Sequence, residues 1–477
     1  MERDIQFLRP AWYVCCKTGR LELSEAGDSD RTPAAVPSEK IGFWGYYVLI
    51  VCLGLYLFSQ VDRQVINVVV DPIKEEFGLD DFKVSLLMGP AFGVPYAICA
   101  IVWAKVGDVW TRRNAIITGV LIWTGGTIYC GLAPSYQHLF AARVLVGVGE
   151  AALLVNAYVL ISSNFPAGRL ATALSVLSMG SVGGMAFAFA FGGTLVEYTE
   201  VHHSWPWPFD SAWRILFLIV GAPCLPLAAM LLFVRHGEGN TATSASAHTS
   251  NPAPVAALSM WQWARLNRAT AIAVVGGFGI ISLCSAGIVG WAPAYMNRNL
   301  GLRAAEAGVL LGSLIVVSST FGKLGSGLIV DWMFRGKIAD AHLRYLMIAS
   351  VVAGSGMLVA LSTGSHVIYA GGFALYLLFG VPVLGYGAAL TQLIVPDHLR
   401  AQAGAWFLMT VNLLSAGVGP MSVGFLSESI GDGENSLRLA LLLLVAICIP
   451  VIVITCAIGL KQIRSNPQIA RALRSKA

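Results

Sequence analysis

The chain has 477 residues, of which 56% are hydrophobic and only 12% are charged, and its formal net charge at pH 7 is +5. A soluble protein carries about a quarter charged residues, so this composition, with a mean hydropathy of +0.70, excludes the soluble globular class and indicates an all-α membrane protein. The nine cysteines show no CxxC or Cys/His ligand spacing, so we expect no metal site, no disulfide framework and no cofactor.

Twelve apolar segments are predicted to be membrane-spanning helices. About 20 helical residues cross the roughly 30 Å of hydrocarbon in a bilayer, where every backbone N–H and C=O must be paired within the span. Residues 1–42 precede these segments as a polar tail without the pattern of a signal peptide. The segments are 43–70, 82–106, 113–134, 137–163, 167–197, 211–235, 269–297, 304–330, 343–362, 366–394, 399–427 and 437–460.

The distribution of Lys and Arg predicts that both termini are cytoplasmic. Residues 236–268 are predicted to be a cytoplasmic linker between six-helix bundles at 43–235 and 269–460, and residues 461–477 a basic cytoplasmic tail that contacts anionic lipid rather than nucleic acid. Arg298 and Arg303 break the charge rule on the opposite side. We expect a monomeric, multi-pass protein of a bacterial inner membrane.

The two halves of the chain are predicted to be duplicates. "GLDDFKVSLLMG" begins at Gly78 and "GLRAAEAGVLLG" at Gly301, an offset of 223 that also relates Asp108 to Asp331. A carboxylate at such a hairpin can hold the N-terminus of a neighbouring helix and a nearby arginine. We therefore predict a conformational latch; a loop that merely fixes topology by its charge is the alternative. The predicted latch residues are Asp108, Arg112, Arg113, Asp331 and Arg335.

Two predicted spans of the first half carry ionisable residues deep in their apolar runs. Asp62 and Arg63 lie in the first span. Arg143 and Glu150 lie in the fourth, within "ARVLVGVGEAA". A charge near the bilayer centre costs about 2.5–3.5 kcal/mol on insertion scales, so such residues persist where they meet one another, water or a substrate. The glycines at 147 and 149 predict the wall of a cavity on this stretch of helix.

This pattern favours proton coupling. A carboxylate in a low dielectric can become neutral, and a nearby arginine opposes that change. We expect Glu150 to be the proton carrier, because it is the deepest acid and the least obviously paired, with Asp62 as second choice. Arg63 and Arg143 are permanently charged forked donors, suited to a phosphate or carboxylate. A static network joining the two helices is the alternative. Further candidate substrate-binding residues are Asn156, Tyr158, Trp291 and Asn412.

The second half lacks an acid or arginine at the equivalent positions. The offset of 223 places Ser285 opposite Asp62 and Phe373 opposite Glu150. Its candidates for lining a cavity are aromatic or neutral. A charged wall facing an apolar, aromatic one predicts an amphipathic ligand with an anionic head. These second-half candidates are Trp291, Tyr376, Tyr386, Trp406 and Asn412.

Several stretches resemble the major facilitator superfamily and its spinster-like branch over roughly residues 43–460. They are the "DR" pair at 62–63, "RVLVGVGEAA", "GDVWTRR", "GWAPAYMNRNLGLRAAEAG", "GVGPMSVGFLSE" and the duplicated G-x-x-x-D-x-x-x-R pattern. The resemblance implies two six-helix pseudo-repeats, alternating access, and proton coupling through Asp62 and Glu150. It also implies an amphipathic organic anion or a lysolipid as substrate. Ala104 and Val109 depart from the loop pattern, and helix five lacks the Gly-Pro pair of drug antiporters.

Two other functions are compatible with the sequence. The first is a proton symporter for a small carboxylate, such as a sugar acid or an aromatic acid. The second is a membrane-embedded protein that transports nothing. No GxSxG or HExxH motif occurs and the histidines lie in loops or at helix ends, so we do not expect an enzyme. The expected partners are a small-molecule substrate, protons and the lipid bilayer.

Overall fold

The computed structural model describes residues 42–201, 211–234, 259–336, 338, 340–431, 433 and 435–465. The regular structure within these ranges is entirely helical. Residues 1–41 of the predicted tail, residues 235–258 around the predicted linker and residues 466–477 of the basic tail lie outside the described residues.

Among the described residues, eleven helical stretches are long and apolar enough to cross a membrane, and a twelfth helix, Arg112–Gly131, lies between two of them. The predicted all-α membrane fold is thus confirmed. We number the spans α1 to α12. The first six are α1 (Phe43–Val68), α2 (Asp81–Met88 and Pro90–Val109), α3 (Arg112–Gly131), α4 (Tyr136–Ser162), α5 (Ala167–Val201) and α6 (Ala212–Gly221 and Cys224–Leu231).

The second six spans include two that change from α- to π-helical geometry partway along. Short helices also precede α2 (Val70–Phe77) and α7 (Met260–Leu266). The spans are α7 (Arg268–Leu300), α8 (Ala304–Leu314, π-helical Ile315–Ser319 and Thr320–Arg335), α9 (Ala341–Ser362), α10 (His366–Phe379 and Val383–Ile394), α11 (Arg400–Asn412, π-helical Leu413–Val418 and Gly419–Ile430) and α12 (Ser436–Ser465).

The duplicated glycines end equivalent helices in the two halves. Gly78 follows Val70–Phe77 with φ +60°, and Gly301 follows α7 with φ +66°. Both adopt the left-handed conformation that commonly ends a helix and that glycine reaches without a Cβ clash. The offset of 223 read from the sequence therefore relates two turns of the same geometry.

The two halves pack closely on one side of the molecule. Because the spans alternate in direction, α1 begins and α12 ends on the same side, which we call the tail side; the opposite side is the far side. Towards the far side α2 packs on α11, and the Phe82 and Phe425 rings meet edge to face at 6.1 Å. A Cβ placed on Gly93 would lie 2.7 Å from the backbone of Gly417. The α5–α8 pair is similarly close, with Gly193 against Gly308.

The same helix pairs carry exposed apolar side chains towards the tail side. Ile98 and Val102 of α2 and Trp406 of α11 are more than half exposed. Met179 of α5 and Phe321 of α8 are about two-thirds exposed. Contacts between α5 and α8 become few beyond the π-helical segment of α8, and α2 contacts Arg400–Asn412 only sparsely, so the halves separate towards the tail side.

Candidate functional site

Spans α1, α3 and α4 bring the buried charges of the first half together. Oε1 of Glu150 accepts a hydrogen bond from Ser59 Oγ at 2.6 Å and forms an ion pair with Nη2 of Arg63. Thr127 Oγ1 of α3 donates to Oδ2 of Asp62. Ser59 and Arg63 are four residues apart, so one face of α1 presents both to Glu150.

Arg143 is fully buried and only partly satisfied. Its Nε donates to the backbone carbonyl of Leu87 at 3.4 Å, whereas Nη1 and Nη2 have no hydrogen-bond partner in the described part of the chain. Arg143 interacts electrostatically with Asp62, whose Oδ1 is likewise unpaired, as is Oε2 of Glu150. The cluster thus holds a free guanidinium edge, which could bind an anion, and two free carboxylate oxygens, either of which could take up a proton.

Two aromatic rings of α2 support both arginines. The guanidinium carbon of Arg63 lies 4.7 Å from the ring centroids of Phe92 and Tyr96, and that of Arg143 lies 5.3 Å from Phe92. A guanidinium over a ring face is attracted electrostatically. Sequence reasoning did not identify Phe92, Tyr96, Ser59 or Thr127 as site residues, because aromatic and hydroxyl side chains in an apolar span carry no distinctive pattern.

Accessibility differs among the four charged residues. The side chain of Arg63 is 20% exposed, whereas that of Glu150 is 0% exposed, and Asp62 and Arg143 are fully buried. The expectation of a charged wall lining a cavity is therefore not met by Asp62, Arg143 or Glu150 in this structure. They lie behind Arg63, which joins the cluster to the accessible surface.

Two detailed expectations about α4 are also wrong. Glu150 was expected to be the least paired acid, but it is bonded to both Ser59 and Arg63. The glycines were expected to border a cavity, but a Cβ on Gly147 would lie 2.5 Å from the Phe92 carbonyl oxygen, and Gly149 faces the backbone of Trp123. These glycines allow α4 to approach α2 and α3 closely, a common role of glycine in membrane helices.

Of the four other substrate-binding candidates, Tyr158 interacts with Tyr96 beside Arg63, whereas Asn156, Trp291 and Asn412 make their hydrogen bonds elsewhere. Asn156 is buried, accepts from Arg112 and donates to the carbonyls of Trp103 and Ala152, which favours a structural role. Trp291 is buried and donates to the Pro420 carbonyl at 3.0 Å. Tyr158 is exposed, and Asn412 immediately precedes the π-helical segment of α11. Their roles in substrate binding stay predictions.

The two copies of the predicted latch differ. In the first, Arg112 forms an ion pair with Asp108 and donates to the Ala104 carbonyl, while Arg113 donates to the Val234 carbonyl at the end of α6. In the second, Asp331 and Arg335 are exposed. The acid that pairs at that hairpin is Asp340, which holds Arg344 at 2.6 Å and Arg464 at 3.0 Å.

The second half replaces the charged cluster with neutral polar and aromatic groups. Ser285, the counterpart of Asp62, bonds to the Tyr376 hydroxyl and the Gly380 carbonyl, both at 3.1 Å. Tyr376 and Tyr386 are buried within this half rather than lining an open wall, whereas Trp406 is about half exposed. Sequence reasoning missed Lys323 of α8, because it compared only acids and arginines at duplicated positions.

The two arginines that break the charge rule join the halves at the far side. Arg298 of α7 contacts Asp71 at 2.5 Å and Asp81 at 3.1 Å, and Ser427 of α11 donates to Asp81 at 2.8 Å. Arg303, at the start of α8, contacts Glu197 of α5 at 2.8 Å. The position of these two arginines on the far side, against the charge rule, is thus explained by their ion pairs with acids of the other half.

Comparison with known proteins gives a consistent result. The sequence pattern of the Major Facilitator Superfamily matches residues 52–420. The chain is 28% identical over 395 residues to an MFS-type efflux pump of Mycolicibacterium smegmatis, spanning 81% of this chain and 86% of that protein. It is 23% identical over 423 residues to Protein spinster of Drosophila melanogaster, spanning 83% of this chain and 64% of that protein.

A solved structure has the same fold. The crystal structure of a bacterial homolog of the human lysosomal transporter Spinster, inward-facing and unoccupied, superposes with a TM-score of 0.74 at 23% identity, covering 88% of this chain and 98% of that one. The resemblance found in the sequence is confirmed, and the chain belongs to the Major Facilitator Superfamily.

Proposed function

We propose that the protein is a proton-coupled secondary transporter that moves an amphipathic organic anion, such as a lysolipid, across the membrane by alternating access. The observation that carries this proposal is the buried guanidinium of Arg143, whose Nη1 and Nη2 have no partner in the described residues. A buried cation without a full set of partners is costly, so a bound anion is the group that would stabilise Arg143 most. A substrate carboxylate or phosphate fits a forked donor.

Glu150 is the proposed proton carrier and Arg63 the group that it controls. An ionised Glu150 holds Arg63 in an ion pair. Protonation removes that attraction and leaves Arg63, the accessible member of the cluster, able to bind an anion. Proton uptake and anion binding would then favour one another, which is the reciprocal coupling a secondary transporter requires. Asp62, bonded to Thr127 and close to Arg143, is the second candidate acid.

The arrangement of the halves supports alternating access. They are joined by ion pairs at the far side and separate towards the tail side. The reverse arrangement would need the contacts of Arg298 and Arg303 to break, at a cost that is small for the exposed Arg303 pair and larger for Arg298, whose partner Asp81 is buried.

A proton symporter for a small sugar acid or aromatic acid remains the alternative substrate class. The same two arginines would hold such a carboxylate. The exposed apolar side chains of α2 and α11 on the tail side favour a substrate with an acyl chain. The similarity to a protein named an efflux pump supports export as the direction.

Transport by the reconstituted protein tests the role of Glu150. Purified protein in liposomes is given a pH gradient, and movement of a fluorescent lysophospholipid and of a radiolabelled aromatic acid is followed. We expect Glu150→Gln to abolish acceleration by the gradient, because the amide keeps the acceptor for Ser59 but cannot ionise. Glu428→Gln, at an exposed glutamate near the far end of α11, is the matched control and should behave as wild type. Full gradient dependence in Glu150→Gln would refute the assignment.

A further inference from the structure

Lys323 is a deep charge in the half that otherwise lacks one. It lies nineteen residues after Ala304, where α8 begins, and twelve residues before Arg335, where α8 ends. In the described residues of the second half, every other Asp, Glu, Lys or Arg lies nearer to an end of its helix or in a loop. An ionisable residue at such depth is expected to face the protein interior or a water-filled space and to have a function.

The side chain of Lys323 points across the gap between the halves. Its Nζ donates to Oγ of Ser181 on α5 at 3.2 Å. Tyr56 of α1 interacts with both Ser181 and Arg63. Lys323 therefore faces the first-half cluster from the opposite half, with one serine and one tyrosine between them.

Ser181 is an incomplete partner for an ammonium group. Lysine offers three N–H donors and a full positive charge, whereas Ser181 offers a neutral oxygen and uses its own hydroxyl proton on the Ser178 carbonyl at 2.9 Å. The described residues provide Nζ with no carboxylate in ion-pair range. Arg63, by contrast, has Glu150.

Lys323 also lies where the seam between α5 and α8 opens. The close backbone approach ends near Gly312, where a Cβ would lie 2.8 Å from the Ala186 carbonyl oxygen. The π-helical segment Ile315–Ser319 follows, and π-helical turns often occur at functional sites. Phe321 and Leu324, on either side of Lys323, are exposed.

We propose that Lys323 binds the anionic group of the substrate at the tail-side opening between α5 and α8, with the apolar part of the substrate against exposed side chains such as Phe321. This inference rests on the proposed function for its anionic, amphipathic substrate. An anion held by Lys323 on one side and by Arg63 on the other would draw the halves together. Binding would thereby favour closure of the tail side.

Probe binding tests this assignment. Octyl phosphate and uncharged octyl glycerol share a chain, and their binding to the full-length protein in lipid nanodiscs is measured by thermal stabilisation over a concentration series. We expect Lys323→Gln to weaken the binding of octyl phosphate about tenfold or more, the scale of a lost charged hydrogen bond, without changing the binding of octyl glycerol. Lys323→Arg should bind octyl phosphate within about threefold of wild type, because it keeps the charge. Lys105→Gln, at an exposed lysine of α2, is the control.

A second variant keeps the lysine in place. Ser181→Asp would give Lys323 an acidic partner, so octyl phosphate should again bind about tenfold more weakly. Unchanged phosphate binding in both Lys323→Gln and Ser181→Asp overturns the assignment of Lys323, as does an equal loss of both probes. If loss of gradient-driven transport in Glu150→Gln accompanies that result, only this inference fails. A wild-type protein that binds the two probes equally overturns the inference together with the anionic substrate on which it rests.

Discussion

The far and tail ends of the same helix pairs are held in different ways. At the far end, backbones meet at glycines and Arg298 bridges to two acids of the other half. Nearer the tail end, Lys323 donates to a neutral serine, and apolar side chains are exposed.

This difference indicates which contacts hold the observed conformation. Close backbone packing is sensitive to any added volume. An ion pair between exposed groups contributes little, whereas one that includes a buried acid contributes more. Backbone packing and the bridge to the buried Asp81 therefore hold the far side closed in this conformation, while the tail side is open.

The largest effect is expected from a side chain placed in the α2–α11 seam. Gly93→Leu introduces a Cβ 2.7 Å from the backbone of Ala416 and Gly417, which cannot rotate away. Overpacking of this kind costs about 1–3 kcal/mol and occasionally more, so closure of the far side should be lost and transport with it. Hydrogen–deuterium exchange over residues 78–93 and 413–430 should rise.

Gly385→Leu is the matched control for the seam. Gly385 lies in the tail-side part of α10 and has no neighbouring atom within 4 Å of an added Cβ. The variant should show wild-type exchange and transport. Equal damage by both substitutions would mean that any enlarged glycine in these helices disrupts the protein, and the contrast between the two ends would then be unsupported.

An intermediate effect is expected from the far-side bridge. Arg298→Gln removes the contacts to Asp71 and Asp81 and leaves the buried Asp81 with Lys74 at 2.7 Å and Ser427. Because some partners remain, we expect a loss of about 2 kcal/mol rather than the 3–5 kcal/mol typical of breaking a fully buried pair. A higher rate of exchange over residues 71–81, with the far side more often open, would be the measured result.

Arg303→Gln tests whether an exposed ion pair on the far side matters as much as the partly buried pairs of Arg298. The Arg303 side chain is 68% exposed although it contacts both Glu197 and Glu306. Exposed pairs contribute little to stability because solvent screens them, so exchange over residues 193–201 should change little. An effect as large as that of Arg298→Gln would show that the number of ion pairs, not their burial, determines far-side closure.

The sequence predicted the fold and the composition of the charged cluster, but not its internal pairing. Long apolar runs are properties of single segments, and the offset of 223 follows from aligning two of them. Both can therefore be read directly from the sequence. Which acid meets which arginine depends on how α1, α3 and α4 rotate against one another, and no local pattern contains that information. The pairing of Glu150 with Arg63 is a case of this kind.

Three further residues show why the rest of the site could not be predicted. Gly147 and Gly149 suggested a cavity because small residues leave space, but their space is filled by the backbones of α2 and α3. Lys323 could not be found from the duplication, because the offset of 223 pairs it with an alanine, Ala100. A residue that distinguishes the two halves is one that a comparison of the halves does not match.

The smallest effect is expected at the tail-side hairpins, where the duplicated acids differ in their contacts. Asp108→Asn removes an exposed i,i+4 ion pair whose carboxylate is 64% exposed, and Arg112 keeps its bond to Asn156, so we expect a loss of about 0.3–0.5 kcal/mol in the free energy of unfolding. Asp331→Asn should leave stability unchanged, because Asp331 has no ion-pair partner in the described residues.

Transport rates measured together with the stability of Asp108→Asn and Asp331→Asn decide whether the second hairpin acts as a latch. A latch acts in one conformation and is released in the other, so an acid that is unpaired here can be engaged when the far side opens. If Asp331→Asn slows transport while its thermal stability stays at the wild-type value, the second copy holds the opposite conformation and the two hairpins alternate. If both rate and stability stay unchanged, the second hairpin fixes topology by charge alone, and only the first copy, with Asp108 and Arg112 in contact, retains a latch.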